Sequence, residues 1–386
     1  MGILNKIGGF AGLIVLISAF YLMLSGYPYV FNQLVYLPNL ITNVVLTGGL
    51  LAIVFLFCNN GFLLPYTFKS CILLQVIACA IFFVIHADTS YVTRIVYILI
   101  TYLLFLVAEN SIGIKRIVEF NNNWIAIQAV LSLIGFVLIF IGILHSLSIF
   151  ENIDGRPSSF YGIATSNVSY GGFSRMAGFF DEPGALAGWG IYALVINKLF
   201  FKNKFVEFSL IIGLISTLSL AYFIQIAIYF CFFSLNNLKV SIPVGVVFFI
   251  VMIWGMRNGG EYFEELTINR IEAFQAGEDN NRTALSNMAE AYFLKSPIIG
   301  HGAKRIEEIA YMGDNPYELL AKDGILGTFF TYLPLLIILI KKRRKEVLFS
   351  LIILVIGYFQ RPFHVNFMHY FMLLSFLYLC LTENQE

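Results

Sequence analysis

The sequence predicts an all-α, polytopic integral membrane protein of about twelve transmembrane helices, with a large helical loop on one face. Three observations carry this. Of 386 residues, 59% are hydrophobic and 12% are charged, about half the charged fraction of a soluble domain. The mean hydropathy is +0.82. The charges, nearly balanced at 24 basic and 23 acidic residues, separate onto opposite faces once the apolar runs are placed. A soluble domain of this size could not hide so much apolar surface, which excludes a compact cytosolic enzyme. A net charge of +1 does not suggest nucleic acid as a partner.

A transmembrane helix needs about 20 mostly apolar residues. Runs of this kind lie near 8–25, 40–59, 68–86, 91–109, 124–149, 184–201, 206–219, 220–236, 241–256, 324–340, 347–359 and 366–381. The first resembles a signal peptide but shows no small-residue cleavage site, so it reads as a retained span. Residues 206–236 are too long for one helix and read as two short ones. Cations in short loops set the orientation. With the N-terminus inside, the cytoplasmic face receives Lys6, Lys69, Lys115, Arg116, Lys202, Lys204, Lys239 and the run Lys341, Lys342, Arg343, Arg344, Lys345. The short outer loops hold only Arg94, Arg156, Arg175 and Arg361. One helix at 206–236 would invert the basic run, which supports the split. The five cysteines lie in apolar runs without a C-x-x-C pair, so neither a disulfide framework nor a metal site is expected.

The chain 1–386 reads as one polytopic domain with two long outer loops, 150–183 and 257–323. The second carries twelve acidic and seven basic residues. A helical pattern fits most of it: Tyr262, Phe263, Leu266 and Phe274 give one apolar stripe, and Leu285, Met288, Tyr292 and Phe293 another. Ser296-Pro297 ends that second helix. Asn315-Pro316-Tyr317-Glu318 reads as a helix start, with a cap, a proline and a glutamate in place.

Three constellations could carry chemistry, all on the outer face. The first runs from Gly172 to Gly184 and holds Arg175, Asp181 and Glu182 where a loop enters a span. Ionisable groups there are costly unless paired. The acids could equally cap the helix that Pro183 opens, and Arg175 could be an interfacial anchor. The second joins Asn281-Arg282 to Pro297-Ile298-Ile299-Gly300-His301-Gly302, Asp314-Asn315-Pro316-Tyr317-Glu318 and Asp323-Gly324-Ile325-Leu326-Gly327. Its glycines allow close backbone approach to a ligand or mark ordinary turns, and Asp314 and Glu318 could be cap residues. The third is Gln360 to Asn366, with Arg361 and His364, or else a polar turn. A guanidinium fork grips phosphate bidentately and stays charged in low dielectric. The matching substrate is an anionic lipid, and a nearby carboxylate could serve as general base toward a hydroxyl.

At these residues the chain resembles the Wzy-type polymerases of bacterial surface polysaccharides, a group that includes the O-antigen ligases. The resemblance rests on an Arg before a Gly-Phe-Phe-x-Glu-Pro-Gly run entering a span. It rests also on a large late loop with an Arg, an apolar helix, Pro-Ile-x-Gly-x-Gly, Asn-x-Tyr and Gly-Ile-x-Gly. The topology likeness covers nearly the whole chain, the motif likeness only about 170–190 and 280–330. It implies a helical, GT-C-like membrane glycosyltransferase of the bacterial inner membrane, with both termini cytoplasmic, a periplasmic active site and no metal or cofactor. It implies an undecaprenyl-pyrophosphate-linked oligosaccharide as substrate and a chain-length regulator as partner. Carried over, Arg175 and Arg282 match the arginines thought to hold the pyrophosphate; Arg270 and Arg361 lie on the same face as further candidates. Glu182, then Asp314, then His301 are the candidate bases. Ligases commonly place His before the Asn of the Asn-x-Tyr step; Asp314 stands there, which favours polymerase over ligase. A flippase of lipid-linked sugar and a peptidoglycan polymerase of the shape and division family are the other readings. Against the flippase stand the apolar mid-span positions and the charged insert.

Overall fold

The computed structural model describes residues 2–26, 40–57, 64–151, 157–166, 168–170, 173–233, 280–309, 312, 315–342, 344–360 and 366–383. Among them are helices α1 (Gly2–Gly26), α2 (Leu40–Phe57), α3 (Tyr66–His86), α4 (Ser90–Glu109) and α5 (Ile114–Phe140). Five short strands follow: β1 (Ser148–Glu151), β2 (Pro157–Phe160), β3 (Thr165–Ser166), β4 (Val168–Tyr170) and β5 (Phe173–Arg175). The chain then forms α6 (Pro183–Ile196), α7 (Lys204–Gly213), α8 (Leu220–Phe233), α9 (Asn280–Lys295) and α10 (Ala303–Ile309). It ends in α11 (Glu318–Thr331), α12 (Leu333–Lys341), α13 (Lys345–Gln360) and α14 (Phe367–Thr382).

The protein is largely helical. Tyr66–His86, Ser90–Glu109, Ile114–Phe140, Pro183–Phe201 and Glu318–Lys341 are long and apolar enough to cross a membrane. Helix α3 shows why. It buries Phe68, Cys71, Ile72, Gln75, Ala78 and Phe82, yet exposes Leu73, Ile77, Ile81 and Val84 on the opposite face. A helix apolar on all sides, with its polar Gln75 turned inward, suits lipid rather than water. In the bundle α5 packs on α7, α3 on α4, α8 on α13, and α12 on α14. The α5–α7 crossing is close because Gly213 lies against Ala129; a Cβ there would fall 2.5 Å from the Ala129 carbonyl carbon, the small-residue contact that lets membrane helices approach.

The expected spans need two corrections. The run near 124–149 is α5, which starts at Ile114, ten residues earlier, and ends at Phe140. Gly142 turns with φ 76, and residues beyond it leave the helix because Ser148 pairs with Phe160 and Phe150 with Ser158 in an antiparallel sheet. The fold is therefore not purely α: β1–β2–β3 form one small sheet and β4–β5 another. Arg94, expected in a loop, belongs to the second turn of α4 and is 3% exposed. The break expected within 206–236 is present. Helix α7 ends in a 3-10 turn, Leu214–Thr217, and Leu218 takes φ 44 before α8 begins. At the far end of α6, Lys198, Lys204 and the Tyr229 hydroxyl all converge on Glu207, at 2.8, 3.0 and 2.8 Å. The expected span 241–256 lies outside the described residues.

Candidate functional site

Arg175 closes the β4–β5 hairpin, paired with Val168. Its Nε donates to the Thr217 carbonyl at 3.0 Å, and the next backbone N–H, of Met176, donates to the Ser216 carbonyl at 3.0 Å. The arginine is thus stitched to the break between α7 and α8, and the plane of its guanidinium is set. Beyond it, the Thr165 hydroxyl donates to the carbonyls of Gly178 and Phe180, at 2.9 and 3.1 Å, and the Phe179 N–H donates to Gln128 Oε1 at 3.3 Å. These bonds hold the Gly-Phe-Phe run rigidly over α5. Glu182 is extended, at φ −151 and ψ 158, immediately before Pro183 opens α6; its side chain makes no cap bond to the helix. Asp181 Oδ1 instead accepts from the Glu182 N–H at 3.0 Å. Arg175, Asp181 and Glu182 therefore gather at one helix entrance.

The late motifs form a second assembly. Helix α9 ends at Lys295, before Pro297, and Asn315 Oδ1 accepts from the Tyr317 N–H at 2.9 Å to start α11. Between them two glycine loops interlock. Gly302 N–H donates to the Lys322 carbonyl, His301 N–H to that of Ala321, Ile325 N–H to that of Pro297 and Leu326 N–H to that of Ile298, at 2.8–3.0 Å. Gly300 and Gly324 adopt φ 68 and 64. A Cβ at Gly300 would lie 2.4 Å from the Lys322 oxygen, and one at Gly324 2.4 Å from the Ile298 oxygen. Only glycine meets both the dihedral and the spacing. His301 braces this unit: its Nε2 lies 2.9 Å from the Tyr292 carbonyl, so that nitrogen is the donor.

The interlocked loops dock on the turn between α3 and α4. His86 Nε2 meets the Ile299 carbonyl at 3.0 Å, and Asp88 accepts from the N–H groups of Ser90 and Lys304 at 2.8 and 2.7 Å. Burial opposes the charged form of Asp88, but these backbone donors and Arg94 outweigh it and hold the carboxyl below its ordinary 3.8. One turn deeper, Arg94 pairs with the fully buried Asp323, which also accepts from the Tyr91 hydroxyl at 2.8 Å. The Arg94 guanidinium lies 4.8 Å from the Tyr91 ring centre. A cavity of about 20 Å³ beside this pair is lined by Gln75, Cys79, Tyr91, Arg94 and Tyr370. The sequence reading left Arg94 and Asp323 out of the site; the available signal was a lone Arg and a lone Asp just inside the starts of two apolar runs.

A larger cavity, about 60 Å³, lies between α6, α8, α13 and α14, lined among others by Trp189, Tyr192, Gln225, Tyr358 and His369. Trp189 is seven residues past Glu182, about 10 Å along the helix. Gln225, Tyr358 and His369 also sit within two turns of the ends of their helices. The cavity therefore lies below the Arg175 entrance. Helix α14 divides the two cavities, with His369 facing the larger and Tyr370 the smaller.

Of the expected site residues, Arg175 and Glu182 come together, and His301 is built into the late-loop assembly. Arg282 lies in α9, whose first residues are described by backbone alone. Arg270, Asp314 and Arg361 lie outside the described residues. Among the described residues, no three His, Cys, Asp or Glu side chains are placed to hold a metal ion. Comparison with protein-family models, with curated proteins and with solved structures finds no match to this chain, so the family resemblance rests on the motifs themselves.

Proposed function

We propose that this protein polymerises lipid-linked oligosaccharide repeat units, transferring the growing glycan from undecaprenyl pyrophosphate to a sugar of another lipid-linked unit. The observation that carries this is the entrance to α6, where a guanidinium anchored through Nε stands beside two carboxylates above a polar, aromatic cavity. Arg175, with Arg282 and the further cations Arg270 and Arg361, neutralises the leaving pyrophosphate, which lowers the barrier to cleaving the anomeric C–O bond. A base at this mouth takes the acceptor proton. The reading includes about twelve spans, a GT-C-like architecture, an inner-membrane location with the site on the periplasmic side, and a chain-length regulator as partner. The late glycine loops act here as scaffold for the outer face.

The test is extension of a defined lipid-linked repeat by the purified protein. Wild type yields a ladder; Arg175→Ala and Arg282→Ala insert normally and yield none. Normal ladders from both variants would remove the assignment.

A flippase is the second reading, and one feature favours it. Helix α11 is broken at Gly324 (φ 64, ψ −172) beside a buried Asp323, and Gln75, Asn121, Asn122 and Gln128 are buried within apolar helices. Broken helices with inward polar groups are a transporter feature. Liposomes separate the two, since a flippase moves the lipid-linked unit across without lengthening it.

A further inference from the structure

The larger cavity holds a histidine whose proton is placed by the fold. Asn366 is the N-cap of α14, and its Oδ1 accepts from the His369 N–H at 2.9 Å. An atom that accepts from a backbone N–H is the amide oxygen, so the cap itself settles which way Asn366 points. The same oxygen lies 3.0 Å from His369 Nδ1. Nδ1 must then carry the hydrogen, and in the neutral ring the lone pair is on Nε2. The ring is held edge-on to Trp189 with centroids 4.4 Å apart and is 7% exposed.

The rest of the wall suits a hydroxylated ligand. The Tyr358 hydroxyl is buried with no hydrogen-bond partner among the described residues. Gln225 reaches in because Gly357 makes room; a Cβ there would lie 2.6 Å from Gln225 Nε2, which donates to the Ile353 carbonyl at 3.1 Å. The titratable groups on the described wall besides His369 are Tyr192, whose hydroxyl donates to the Met372 carbonyl, and Tyr358. Neither is charged at neutral pH. A cavity of about 60 Å³ holds roughly four water-sized groups, enough for the hydroxyl-bearing edge of a sugar and too little for a whole ring.

We infer that His369 is the general base for the acceptor sugar hydroxyl; this rests on the polymerase reading and replaces Glu182 in that role. His369 Nε2 takes the hydroxyl proton as the acceptor oxygen forms its bond to the anomeric carbon. The bond from that carbon to the lipid pyrophosphate oxygen breaks, and the pyrophosphate leaves with the electron pair. The imidazolium then returns its proton to water. Asn366 is a positioning residue that keeps Nε2 as the acceptor.

The experiment is the extension rate of the full-length protein on a defined lipid-linked repeat across pH 5 to 8. Wild type slows on the acid side of about pH 6.5 as the imidazole protonates. His369→Gln loses about 100-fold and the acid limb with it. Asn366→Asp keeps the cap, since Asp caps as well as Asn, and moves the acid limb upward because a carboxylate beside the ring favours the imidazolium. A His369→Gln rate within about threefold of wild type, or an acid limb that Asn366→Asp leaves in place, overturns the inference. If His369→Gln does not accumulate, Asn366→Asp decides alone. A wild-type protein that extends nothing removes the polymerase reading, and this inference with it.

Discussion

Two polar centres flank helix α14, and they are built in opposite ways. On one side Arg94 and Asp323 meet with Tyr91 in a compact, nearly closed cluster, and the surrounding loops bond to each other through their backbones. On the other side Trp189, Gln225, Tyr358 and His369 line a cavity about three times larger, with a tyrosine hydroxyl that no described residue satisfies. The first centre spends its charges internally, as a latch does. The second presents polar edges to a space, as a binding site does. Charge alone is therefore a poor guide to function inside this bundle: the strongest ion pair holds structure, and the uncharged cavity is where a ligand fits.

The contrast can be broken experimentally. The largest expected effect is at the latch. Asp323→Ala leaves Arg94 buried without its partner and should cost about 3–5 kcal/mol, read as a lowered midpoint of thermal unfolding in detergent. Arg94→Met with Asp323→Leu should recover most of that loss, because well-packed apolar groups replace buried pairs at little cost. A single variant as stable as wild type would mean that the pair is no latch. Next is the entrance: Arg175→Ala should lower the extension rate by about 10²–10³, the scale for losing one preorganised charge donor, with an unfolding midpoint close to wild type. A large drop in that midpoint would move Arg175 to the structural side of the comparison. Gly324→Ala should destabilise by about 1–3 kcal/mol, since φ 64 and the Ile298 oxygen at 2.4 Å both oppose a side chain; limited proteolysis within 296–326 would report it. The smallest effect is at Asp88. Its depressed carboxyl contributes stability above its ordinary 3.8, and that contribution is lost as the pH falls through the lower folded value. Asp88→Asn should therefore flatten the loss of stability below about pH 4, and an unchanged acid limb would mean the carboxylate adds nothing to docking.

Much of this was legible in the chain. The apolar runs at 68–86, 91–109 and 184–201 became α3, α4 and α6 with small boundary shifts, because hydropathy over a span is a sum over local residues. Ser296-Pro297 and Asn315-Pro316 marked a helix end and a helix start, because proline acts through its own ring. Arg175 and Glu182 were found together because they are near in sequence. The strands at 148–175 were not found: each has four residues or fewer, too short for an alternation to register. Arg94 and Asp323 were read as a loop cation and a turn acid, since nothing in either segment names a partner 229 residues away. His369 passed unnoticed as a lone histidine in an apolar run; its neighbour Asn366 reads as polar loop until α14 begins there.

The sequence by itself determined a largely helical, membrane-embedded chain, the places where its helices start and stop, and the gathering of an arginine and two acids at one helix mouth. These are properties of composition and of contacts within a few residues. Only the tertiary structure decided which ionisable groups are spent on each other and which face a space, because pairing and burial depend on side chains brought together from distant segments.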